Sequence, residues 1–96
     1  MTGTDENIVA RRLTVHGRVQ GVFYRNWTLA AARDLGLTGW VRNRDDGTVE
    51  VHVEGEAAAI ERLVALAHDG PPAADVARIE SEEVGAQGFD NFDKRQ

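Results

Sequence analysis

Ninety-six residues without a single cysteine make one domain, long enough to bury a core and lacking the thiols for disulfide staples, thiolate metal sites or cysteine-based phosphatase chemistry. Acidic side chains outnumber basic ones, 16 to 11, and the formal net charge of -5 gives no general attraction for nucleic acid or anionic membranes, so an anionic ligand has to be drawn in locally. No apolar run approaches a membrane span, and Met1 to Asn7 is polar and acidic, unlike a signal peptide; the expectation is a cytoplasmic protein with a disordered tail over residues 1–7 and one domain over 8–96.

Ile8 to Gly17 sets Leu13 and Val15 on one face against Arg12, Thr14 and His16, the alternation of a strand with one covered face. From Phe23 to Leu35, Tyr24, Trp27, Ala31 and Leu35 recur at helical spacing, and Gly36 suits the C-terminal cap. Leu37 to Asn43 is a short strand, and Asp46-Gly47 turns it into Thr48 to Glu54, where Val49, Val51 and Val53 alternate with Glu50, His52 and Glu54. Glu56 to His68 is a second amphipathic helix with Ile60, Leu63, Val64 and Ala67 inward, stopped by Gly70-Pro71-Pro72. A fourth strand is predicted over Val76 to Val84 and a short edge strand over Phe89 to Phe92, where the two phenylalanines break the two-residue period. The order strand, helix, strand, strand, helix, strand predicts an α+β, ferredoxin-like split βαβ sandwich: an antiparallel sheet of four to five strands with two helices on one face. Its first two strands run parallel with the third between them. The ends of both therefore open on the same sheet edge.

The first strand passes into the first helix through Gly17-Arg18-Val19-Gln20-Gly21-Val22-Phe23-Tyr24-Arg25. Two glycines permit a tight turn in which the amides of Gln20, Gly21, Val22 and Phe23 converge, and the helix adds unpaired amides and the positive end of its dipole. Arg25 beside such a cradle can clamp a phosphoryl group through two parallel hydrogen bonds. The alternative is a strand-to-helix turn capped by a surface arginine paired with a carboxylate such as Asp34. Asn43, taken by itself, reads as a residue that tolerates the unusual dihedrals before a hairpin turn. His16, His52 and His68 have no metal-ligand spacing, so no metal site and no cofactor are expected. Trp27 and Trp40 read as core or core-edge aromatics, Arg42 and Arg44 as solvated strand-end charges, and Glu80 to Glu83 as a solvated face.

The words Gly-x-Val-Gln-Gly-Val-x-x-Arg, then Gly39-Trp40-Val41-Arg42-Asn43 and Asp46-Gly47-x-Val49-Glu50, resemble the acylphosphatase family over nearly the whole chain. The resemblance implies hydrolysis of small acyl phosphates to a carboxylate and inorganic phosphate by a monomer without cofactor. It also implies that Arg25 and the Gln20 to Phe23 amides bind phosphate and that Asn43 orients the attacking water. Two readings from other classes stand beside it. A regulatory anion-binding domain would use the same loop without turnover. An RNA-binding ferredoxin-like module is disfavoured by the acidic balance and the missing paired aromatics.

Overall fold

The computed structural model describes residues 8–96, so the tail expected over residues 1–7 lies outside the described residues. The chain runs β1 (Ile8–Arg18), α1 (Tyr24–Asp34), β2 (Thr38–Asn43), β3 (Val49–Glu56), α2 (Ala57–Ala67), β4 (Asp75–Val84) and β5 (Phe92–Lys94). The strands form one sheet in the order β4-β1-β3-β2-β5. β3 pairs antiparallel with both β1 and β2, which are thereby parallel, as the split βαβ order requires. β5 departs from the all-antiparallel expectation and pairs parallel with β2, giving a mixed sheet. The reason is directional: β4 runs against β1 and ends beside its start, with Val84 opposite Ala10, so a chain returning along the far edge travels with β1 and β2.

The edge strand also begins later than Phe89. Phe92 is buried in the core, while Phe89 lies on the other face of the sheet, its ring edge-on to His52 at 5.4 Å between centroids. Between β4 and β5 the chain thus crosses that outer face.

The helix-covered face carries Leu13, Val15, Val41, Val49, Val51 and Val53, all buried, against Tyr24, Ala32, Ile60 and Leu63 from the helices. Each fully buried aliphatic side chain of this kind contributes about 1.5–3 kcal/mol. In α1 the most buried stripe is Tyr24, Thr28 and Ala32, with Ala31 and Leu35 packed at its flank; of the pattern Tyr24, Trp27, Ala31 and Leu35, Tyr24 lies on this stripe and Trp27 does not. Thr28 can occupy that stripe because its hydroxyl donates to the Tyr24 carbonyl at 2.9 Å, leaving no unpaired polar atom inside.

The polar side of β3 is not solvated as its alternation suggests. Glu50, His52 and Glu54 are all buried. Glu54 accepts from His52 Nε2 at 2.7 Å and from the amides of Gln87 and Gly88 at 2.6 and 3.0 Å, which pins the crossing segment to the sheet. Glu50 is held by Arg12 at 3.0 Å and Arg42 at 2.7 Å, and Arg12, Arg42 and Arg95 all lie over the Trp40 ring. Burial alone would raise the Glu54 carboxyl, but the His52 hydrogen bond and the two amides outweigh it, and the group sits below the usual carboxylate range. The Glu80 carboxyl is lowered by its hydrogen bond from His16, and that of Asp46 by its bonds from Thr48.

A folded-state pKa below the unfolded value means stability that is present above the unfolded value and lost as pH falls through the folded one. Thermal stability is therefore expected to be flat above about pH 5 and to decline steadily below it, and Glu54→Gln should flatten part of that decline. Thermal denaturation across the acid range checks this, and a stability that rises on acidification would contradict it.

Candidate active site

The β1-to-α1 loop is shaped by three residues with positive φ: Gly17 at 124°, Gly21 at 75° and Phe23 at 67°. The two glycines do different things. A Cβ on Gly17 would stand 2.2 Å from the Asp75 carbonyl oxygen, and the β1–β4 register slips between His16 and Gly17, so this glycine admits the neighbouring strand at a bulge. Only Gly21 leaves its backbone bare. Nothing lies within 4 Å of where its Cβ would be, and it lines a cavity. Val19 and Val22 bury their side chains on either side and anchor the loop.

Among the described residues, none of the amides of Gln20, Gly21, Val22 and Phe23 donates to a backbone carbonyl in a turn or loop; the helix opens with Trp27 N–H donating to the Phe23 carbonyl at 3.0 Å. The first turn of α1 contains no acidic residue, so the positive end of the helix dipole is not neutralised from within. The loop and this turn present several free donors in one place. Phe23, the N-cap residue, makes no side-chain cap bond and exposes 77% of its surface.

Arg25, in that first turn, pairs with no carboxylate among the described residues; its Nη1 donates to the Arg95 carbonyl at 2.8 Å, which ties the guanidinium to the end of β5. Asn43 ends β2 and shares the parity of Gly39 and Val41, so its side chain falls on the helix-covered face rather than the outer one. Together these residues wall a cavity of ≈ 330 Å³: Val19, Gly21, Phe23 and Tyr24 from the loop and helix start, Arg25 and Asn26 from the first turn, Asn43 from β2 and Lys94 from β5. Among the described residues no carboxylate and no imidazole faces it. The Tyr24 hydroxyl is already engaged, donating to the buried Ala67 carbonyl at 2.6 Å, and burial pushes its pKa well up.

The hairpin that carries Asn43 is rigidly closed. Asp46 Oδ1 accepts from the Thr48 amide at 3.0 Å and its hydroxyl at 2.6 Å, and Arg44 N–H donates to the Thr48 carbonyl at 2.9 Å. Gln20, expected to contribute its amide, does more with its side chain: Nε2 donates to the Arg44 carbonyl at 2.7 Å and the Thr48 carbonyl at 2.9 Å. One side chain thus braces the loop against the hairpin. Gln20→Ala is expected to lower stability by about 1–2 kcal/mol and to slow turnover by loosening Asn43 relative to the loop. Gln20→Glu should be worse than Gln20→Ala, because a carboxylate repels the two carbonyls instead of donating to them. Paired thermal denaturation and turnover measurements test this order.

Arg42 and Arg44, read from sequence as solvated charges, are both exposed, and each also has an acidic neighbour. Arg42 binds Glu50, and Arg44 lies 3.8 Å from Glu50 and 3.9 Å from Asp46. The histidines are dispersed: His16 faces Glu80, His52 faces Glu54, and His68 closes α2. Lys94 and Asn26 at the cavity wall carried no local signal, since Lys94 arrives through the non-local β2–β5 pairing.

The acylphosphatase family model matches residues 11–94. An acylphosphatase from Acidovorax sp. (strain JS42) is 50% identical over 88 residues, covering 92% of this chain and 91% of that protein. One from Azoarcus sp. (strain BH72) is 48% identical over 93 residues, covering 97% and 95%. The solved structure of an acylphosphatase from Coxiella burnetii superposes with a TM-score of 0.93 at 38% identity, covering 99% of this chain and all of the other.

Proposed function

Since the chain belongs to the acylphosphatase family, and is accordingly a hydrolase that cleaves acyl phosphates to a carboxylate and inorganic phosphate, we propose how its cavity carries that reaction. The amides of Gln20, Gly21, Val22 and Phe23, with the Arg25 guanidinium, bind the phosphoryl oxygens and stabilise the charge that develops on them. Asn43 accepts a hydrogen bond from water through its carbonyl oxygen and holds it for in-line attack on phosphorus. The phosphorus–oxygen bond to the acyl group breaks, its electron pair leaves on the carboxylate, and the water proton passes to a phosphoryl oxygen of the substrate itself. That last assignment is supported by a wall that, among the described residues, has no carboxylate or imidazole. An acyl phosphate suits so sparse a site because its leaving group is already a good one.

The observation that carries the reading is the convergence of Gly21, Arg25 and Asn43 on one cavity from three separate elements. We further take residues 8–96 as a single catalytic domain, active as a cytoplasmic monomer on small molecules. The net charge of -5 argues against nucleic acid or anionic membranes as partners. Hydrolysis in water labelled with heavy oxygen tests the chemistry. Attack at phosphorus places the label in inorganic phosphate. Label in the carboxylate would mean attack at the carbonyl carbon and would overturn the role given to Asn43.

A further inference from the structure

Among the described residues the cavity wall holds two cations, Arg25 and Lys94, and the reaction proposed above uses only the first. Arg25 sits in the first turn of α1 beside the loop amides. Lys94 enters from β5, in register with Val41 and so two residues short of Asn43 along the parallel strands. Its Nζ is held at 2.8 Å by a neutral acceptor, Asn26 Oδ1, and among the described residues it forms no ion pair. By contrast, Arg42 and Arg44, which flank Asn43 on its other side, already have Glu50 and Asp46 as counter-charges. An ammonium fixed at a ligand cavity without a carboxylate is a site for an anion supplied by the ligand.

Resting on the reading above, in which the phosphoryl group occupies the loop amides and Arg25, we propose that Lys94 is a specificity-determining residue that binds a second carboxylate on the acyl group. The preferred substrates are then acyl phosphates of dicarboxylic acids. Two features place Lys94 at the acyl end. The phosphoryl group, with a charge of roughly -2, is already met by a guanidinium and the opening amides of a helix. The ammonium is held at the cavity wall by Asn26 Oδ1 and not by the loop, which leaves it for a second anionic group of the same ligand.

The test compares benzoyl phosphate with its 3-carboxy and 4-carboxy derivatives, whose rigid rings keep the added carboxylate from attacking its own acyl phosphate. The wild-type protein should favour at least one carboxylated isomer in kcat/KM, by about three- to tenfold at low ionic strength, with the preference fading as salt is added. Lys94→Gln should abolish the preference and Lys94→Glu should reverse it, with folding of both checked by thermal denaturation. Absence of any preference in the wild type would overturn the proposal. So would an equal loss on all three substrates in Lys94→Gln together with weaker binding of inorganic phosphate, which would place the ammonium on the phosphoryl group. Failure of the underlying reading looks different: the wild type would then not turn over benzoyl phosphate at all.

Discussion

Arg25→Ala is expected to lower kcat/KM for an acyl phosphate by about 10³-fold or more, the loss typical of removing a charged donor from a phosphoryl-transfer site. In the proposed mechanism the guanidinium contributes at two stages, holding the bound dianion and meeting the charge that spreads over the phosphoryl oxygens as the bond breaks, so kcat and KM should both worsen. Arg25→Lys should recover little. The tie from Nη1 to the Arg95 carbonyl fixes the plane of the guanidinium while other N–H groups remain for ligand, and a lysine ammonium has no planar fork to be fixed in this way. Near wild-type turnover in either variant, with the fold intact, would remove Arg25 from the mechanism.

Asn43→Ala should reduce kcat by about 10²-fold or more while inorganic phosphate still binds. The side chain is assigned to water and contributes mainly in the transition state, so kcat and kcat/KM should fall together. Asn43→Asp should fare no better, because a carboxylate loses the amide donor and repels the incoming phosphoryl group at the same sheet edge. If Asn43→Ala instead weakens phosphate binding with kcat intact, Asn43 is a binding residue and another group orients the water.

The parts of this site legible in the sequence were those encoded locally. A glycine-bearing strand-to-helix turn followed by arginine marked the β1-to-α1 loop, and the Asp46-Gly47 hairpin put Asn43 at the matching strand end. What escaped was set by distant pairing. Alternation along β3 separates Glu50, His52 and Glu54 from the valine face but cannot show that they are buried, since nothing in Thr48 to Glu54 reveals that amides 33 and 34 residues further on will close over Glu54. Gly17 and Gly21 looked equivalent because the need for positive φ is visible in a sequence, whereas the strand that approaches Gly17 is not. Lys94 belongs to a three-residue strand too short for any period to register, and only its parallel pairing with β2 brings it to the cavity. The second role of Gln20 was hidden likewise, its acceptors lying 24 and 28 residues away.

The most direct test of the phosphate cradle is a titration with inorganic phosphate followed at each backbone amide by nuclear magnetic resonance. The amides of Gln20, Gly21, Val22 and Phe23 should shift together and saturate at one dissociation constant. That response should be lost in Arg25→Ala and kept in Asn43→Ala. Shifts centred on another part of the surface, with these four amides unmoved at saturation, would contradict the assignment of the loop as the phosphoryl site.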